Sequence, residues 1–216
     1  MDYNYDKWNN YEIGKVPWIV SRKSHLSKIK YVEYILNLNF KNILEIGAGE
    51  VIEGQQIREQ RKDINYTILD VSDTFLENVR KMGFTGVKGE MHKTRFKNKQ
   101  FDLVYLSSVI EHSPNLVKTF NELQRISKNF YITMFKWNMK KGSLHSRYTK
   151  GGKYYSSVFG INKLLDLIRT YGSIDRLIIY TSEGETIPYD EYLKSLDKKT
   201  IEHRNGNYLT IVGRFK

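Results

Sequence analysis

Short apolar runs alternate with segments of helical period along most of this chain, and that alternation constrains the fold more than any other feature. His25 to Asn39 carries apolar residues at Leu26, Ile29, Val32, Ile35 and Leu36, a helical stripe that Ser24 can cap. Asn42 to Gly47 then reads as a short buried strand, Val51 to Arg61 as a helix and Tyr66 to Val71 as a strand. Asp73 to Met82 reads as a helix, Gly86 to Gly89 as a strand and Phe101 to Leu106 as a strand. Leu116 to Ser127 is helical, Phe130 to Phe135 is a strand and Lys136 to Ser157 is a loop. A helix at Asn162 to Tyr171 and strands near Arg176 to Tyr180 and Tyr208 to Phe215 complete the chain. Strands separated by helices pair in parallel through right-handed crossovers, which predicts an open sheet with helices on both faces. Such sheets bind ligands beyond the carboxyl ends of their strands, so the residues just after each strand are the ones to examine.

Composition narrows the chemistry. The 216 residues are 40% hydrophobic and 27% charged, a globular balance that predicts one domain over residues 1–216, with 1–24 as an arm or lid. There is no cysteine, which excludes a disulfide framework, a thiolate metal site and a cysteine nucleophile. It also fits a reducing, cytoplasmic location. No apolar run approaches the roughly 20 residues of a membrane span, and the opening residues do not read as a signal peptide. The net charge of +11 favours anionic partners. Lysine-rich usage of the kind found in AT-rich genes gives the same surplus, so composition alone leaves both origins open.

The first strand ends in Glu45-Ile46-Gly47-Ala48-Gly49-Glu50-Val51. Glycines at a strand-to-helix turn let a ligand approach the backbone, although a tight turn by itself also demands glycine. Asp70 ends the second strand, where a carboxylate can accept hydrogen bonds from two ribose hydroxyls or, more plainly, cap a turn. Glu90 and Met91 follow the third strand, placed either to flank an adenine ring or to sit in an ordinary loop. Ser107 and Ser108 lie where the fourth strand leaves the core, and Glu111, His112 and Asn115 follow as a polar cluster.

These pieces together resemble the class I S-adenosylmethionine-dependent methyltransferases, in a form similar to methyltransferase type 11. The resemblance rests on ILEIGAG, the acid of ILDVS, GEMHKTRF ahead of FDLV, and SSVIEHSPN ahead of NELQRISK. It implies a three-layer α/β/α Rossmann-like sandwich, with a seven-stranded, mostly parallel sheet and an antiparallel last strand. It also implies S-adenosylmethionine as cofactor and S-adenosylhomocysteine as product. Glu45, Gly47 and Gly49 would form the methionine-side turn, Asp70 and Val71 would meet the ribose, Glu90 and Met91 would flank adenine, and Ser107 would line the sulfonium side. The family often has a third glycine where this chain has Val51. The Pro-Pro-aromatic signature of amino-directed nucleic-acid methyltransferases is absent. A dinucleotide dehydrogenase fits poorly, because the small residue its fingerprint needs is Ile52 here.

His112 is the candidate general base, since a near-neutral imidazole can take a proton from an attacking hydroxyl. The alternative is a packing role, because methyl transfer often needs only proximity and alignment. Glu111 and His112 are adjacent, and His92 and His145 lack ligand spacing, so no metal site is predicted. In the loop after the fifth strand, Lys140, Lys141, Arg147 and Tyr148 are candidates for holding a small anionic substrate. The expected reaction is methyl transfer to an oxygen or nitrogen of a sugar, nucleotide or other small metabolite. An RNA methyltransferase and a degenerate cofactor-binding subunit without turnover are the competing readings. Nothing in the sequence fixes an oligomeric state.

Overall fold

A computed structural model describes residues 9–10, 26–135, 137–138, 147–148, 155–181, 185–191 and 207–216. The helices are α1 (Leu26–Leu36), α2 (Ile52–Gln60), α3 (Asp73–Lys81), α4 (Leu116–Ile126) and α5 (Ile161–Tyr171). The strands of the main sheet are β1 (Asn42–Ile46), β2 (Asn65–Asp70), β3 (Thr85–Lys88), β4 (Phe101–Ser107), β5 (Ser127–Met134), β6 (Gly172–Tyr180), β7 (Thr186–Pro188) and β8 (Tyr208–Phe215). Their order across the sheet is β7-β6-β8-β5-β4-β1-β2-β3. The pairs β1/β2, β2/β3, β1/β4 and β4/β5 are parallel. The final strand β8 inserts antiparallel between β5 and β6, and β7 pairs antiparallel with the outer side of β6. All seven expected strands are therefore present, and the short edge strand β7 is an eighth that the sequence pattern did not announce.

Side-chain alternation along the strands builds the layers. Leu44, Ile46, Val104 and Leu106 join a cluster with Phe120 and Leu123 of α4 and Leu164 and Ile168 of α5. Their neighbours Ile43, Leu103 and Tyr105 point the other way, into a cluster with Tyr31 and Ile35 of α1 and Ile57 of α2. Strands buried on both faces need near-continuous apolar runs, as β4 has. Two helices start where short polar side chains can satisfy their first N–H groups. Ser72 accepts from Phe75 N at 3.3 Å, and Asn115 accepts from Lys118 N at 3.0 Å. Helix α2 begins one residue later than its pattern predicts, because Val51 lies outside the helix with φ 56° and ψ 36°.

Candidate functional site

Parallel register brings the carboxyl ends of β1, β2 and β4 to one level: Ile46 stands beside Leu69 on one side and Leu106 on the other. The strand order reverses between β1 and β4, so a crevice opens there. Hydrogen bonds stitch its rim, with Gly47 N donating to Leu69 O at 2.8 Å and Gly89 N donating to Asp70 O at 3.0 Å. Gly47 and Gly49 both have left-handed φ, at 67° and 60°. At Gly47 a Cβ would lie 2.6 Å from Val109 Cγ2, so glycine also lets the loop after β4 close onto the turn. Val51, at the place where the resemblance leads one to expect a third glycine, adopts a left-handed conformation. A β-branched residue there is strained, yet its side chain is fully buried.

Asp70 closes β2 with a buried carboxyl group. Burial raises it from 3.8 to about 6, against backbone N–H donation from Ser72, Val71 and Gly49. The Ser72 N–H lies 2.9 Å from Asp70 Oδ1. Because Ser72 caps α3 with its own hydroxyl, Asp70 is not spent on the helix. Of residues 1–24, only 9 and 10 are described. Asn9 Oδ1 accepts from Asp73 N at 2.9 Å, which docks that residue on the start of α3, close to Asp70.

Glu45 is buried on the face of β1 turned toward α1 and α2, where Tyr66 donates to its Oε2 at 2.8 Å. Burial and the nearby Glu53 carboxylate raise its protonation range well above that of an ordinary glutamate. Beyond β3, the chain reverses at Glu90, whose carbonyl accepts from Lys93 N at 3.1 Å. His92 Nε2 lies 3.3 Å from the Glu90 carboxylate, a pairing the sequence reading missed. Met91 is partly buried and packs against the core. The loop that carries them is tied to α4: Glu122 accepts from Thr94 N at 2.7 Å, and Arg125 donates to Phe96 O at 2.8 Å.

After β4, Ser107 is buried, and Ser108 adopts a left-handed φ of 55° with its hydroxyl buried and without a hydrogen-bond partner among the described residues. Ser108 N donates to Thr133 O at 2.7 Å. Ile110–His112 then forms a single 3-10 turn. The expected polar cluster separates here. Asn115 caps α4, and Glu111 turns fully inward, with its carboxylate accepting from Phe135 N at 3.0 Å and its carbonyl from Ser157 N at 2.8 Å. Glu111 thereby fastens both ends of the 136–157 segment to the turn. His112 is the member that stays half-buried at the turn's end. Lys140 and Lys141 lie outside the described residues. Arg147 and Tyr148 are described only as backbone, in a short antiparallel pair with Tyr155–Ser156. Among the described residues, no three histidine or acidic side chains gather as metal ligands, and no helix is long and apolar enough to cross a membrane.

A methyltransferase domain model matches residues 44–129, which span β1 to the start of β5. No curated protein matches the chain in sequence. Solved structures match over nearly its whole length at low identity. One is the methyltransferase in complex with the Trm112 activator of Haloferax volcanii, with TM-score 0.67 and 14% identity over 98% of this chain and 96% of that one. Another is the Burkholderia thailandensis 1,6-didemethyltoxoflavin-N1-methyltransferase with bound 1,6-didemethyltoxoflavin and S-adenosylhomocysteine, with TM-score 0.65 and 14% identity over 98% and 86%. A third is an S-adenosylmethionine-dependent methyltransferase from Thermotoga maritima, with TM-score 0.60 and 17% identity over 98% and 94%. Residues 44–129 of this chain thus match a methyltransferase domain, and the chain has the Rossmann-like fold of solved S-adenosylmethionine-dependent methyltransferases.

Proposed function

We propose that this protein moves a methyl group from S-adenosylmethionine to an oxygen or nitrogen of a small anionic metabolite, with the chain acting as one domain. The observation that carries the reading is Asp70. It is a buried carboxylate beside the glycine turn, held by backbone N–H groups of Gly49, Val71 and Ser72 and pushed upward in protonation by its burial, and a carboxylate has lone pairs for further donors. A ribose diol supplies two such donors. Gly47 and Gly49 would give the methionine end its close approach, with Glu45 beneath. Val71 would line the ribose side, Glu90 and Met91 the adenine side, and Ser107 the sulfonium side.

Bound S-adenosylmethionine supplies an electrophilic methyl group. The chain's contribution is to hold the acceptor close and in line, since proximity and alignment can remove about 7–11 kcal/mol of a barrier. Within the reading, the His112 imidazole takes the proton that the acceptor loses. Glu111 keeps the turn that carries His112 anchored to Phe135 and Ser157. The net charge of +11 supports an anionic acceptor, with Lys140, Lys141, Arg147 and Tyr148 as its contacts.

Calorimetry with S-adenosylhomocysteine tests the cofactor, and release of S-adenosylhomocysteine from a panel of phosphorylated and carboxylated metabolites tests the acceptor class. Binding of a nicotinamide dinucleotide in its place would refute the first. Tight, selective RNA binding that persists at about 0.15 M salt would refute the second, because such persistence requires many phosphate contacts.

A further inference from the structure

The face of β1 turned toward α1 and α2 is apolar except for one buried polar network, whose Glu45 stands two residues before Gly47 on β1. Glu45 and Glu53 are 1% and 4% exposed, so two carboxyl groups share one low-dielectric space. Only one cation serves them among the described residues. Lys28 of α1 pairs with Glu53 in the first turn of α2, and its Nζ lies 5.5 Å from the Tyr105 ring centroid. Glu45 receives a neutral partner, the Tyr66 hydroxyl at 2.8 Å, which in turn meets the Tyr31 hydroxyl at 3.1 Å. Tyr31 is locked by stacking on Tyr105, with ring centroids 3.5 Å apart.

The groups facing Glu45 are thus Lys28 and Tyr31 from α1, Glu53 from α2, Tyr66 and Asp70 from β2, and Tyr105 from β4. With the lysine committed to Glu53, Glu45 rests as a neutral acid, since an unpaired buried charge is far costlier than a hydrogen-bonded carboxyl.

We propose that ligand binding at the Gly47–Gly49 turn expels a proton from Glu45, the ligand's amino-acid ammonium supplying the cation that Lys28 gives to Glu53, with Tyr66 and Tyr31 as positioning residues that hold the carboxyl in place. The inference rests on the cofactor reading above. Before binding, Glu45 is a carboxylic acid and the ammonium is free. Afterwards a carboxylate faces the ammonium, which keeps its own proton, and the acid's proton has gone to solvent. Lys28 and Tyr31 lie outside the matched domain 44–129, so the preceding helix becomes part of the binding machinery.

The test is calorimetry of S-adenosylhomocysteine binding at a pH of about 7.5 in two buffers of different ionisation enthalpy. At that pH Asp70, with its value of about 6, is already ionised and contributes little. The expected result is release of about 0.3 proton or more per ligand. Glu45→Gln keeps the Tyr66 hydrogen bond and should bind without release. Tyr66→Phe removes a donor to the carboxylate, so the pH of maximal release should move upward, a change that a purely structural tyrosine would not produce. The wild-type measurement stands alone if either variant fails to fold. Methylthioadenosine, which lacks the amino-acid end, should release no proton. Binding of S-adenosylhomocysteine with no proton exchange, or unchanged release in Glu45→Gln, overturns the coupling and leaves the cofactor reading intact. Absence of any binding to the wild-type protein overturns the cofactor reading and the coupling with it.

Discussion

Asp70→Asn should separate the folding role of this carboxyl from its binding role. Burial holds Asp70 at about 6 in the folded chain, against an ordinary 3.8. The difference corresponds to about 3 kcal/mol. Because the folded value is the higher one, the native state keeps a proton that the unfolded chain has already lost between the two values. Stability from this group is therefore greatest below about pH 4, falls as pH rises to about 6, and is level above that. Asparagine cannot ionise, and its oxygen can still accept from Ser72 N–H. The variant should lose that slope and gain stability at neutral pH, less the roughly 1–3 kcal/mol for its new, unpaired amide donors. Affinity for S-adenosylhomocysteine should fall by about 1.5–3 kcal/mol, the scale of hydrogen bonds to a charged acceptor. In the wild-type protein, protonation of Asp70 should by itself lower affinity roughly tenfold from pH 8 to pH 5, on top of any loss from proton uptake at Glu45. Urea unfolding across that pH range and calorimetry on both proteins check the two effects. An unchanged slope together with unchanged affinity would refute the reasoning.

Three further outcomes follow from the same rim. Val51 combines left-handed strain of about 1–3 kcal/mol with a fully buried side chain, so Val51→Gly should destabilise less than Val51→Ala, the reverse of the usual order; denaturant midpoints decide. Gly47→Ala drives a Cβ into Val109, and Val109→Ala should restore part of the lost stability; strict additivity in the double-mutant cycle would disprove that contact's importance. His112→Ala should lower turnover about 100-fold or more while leaving S-adenosylhomocysteine affinity nearly intact, and a loss below about fivefold would reduce His112 to a structural residue.

What was legible in the sequence is local in origin. Apolar periodicity, the glycines after β1 and the Ser72 and Asn115 caps act within a few residues, so the strands, the helices and the level of the site could be read from neighbouring positions alone. Strand Ser127–Met134 starts earlier than its apolar run because α4 passes into it without a loop, and apolar pattern does not register such a junction. The insertion of β8 between β5 and β6 and the added edge strand β7 depend on which exposed edge each late strand finds. No nearby residue encodes that choice.

The candidate site divides in the same way. Asp70 and the glycine turn could be named from their place after strands. That Glu45 is a buried acid with the Tyr66 hydroxyl as its donor among the described residues, while Lys28 goes to Glu53, was decided by the packing of α1 and α2 over β1. Likewise Glu111 and His112 are chain neighbours with opposite fates, one fully buried under Phe135 and Ser157 and one left half-buried. Protonation and exposure depend on everything packed around a group, and in this chain those neighbours come from distant segments that only the tertiary fold assembles.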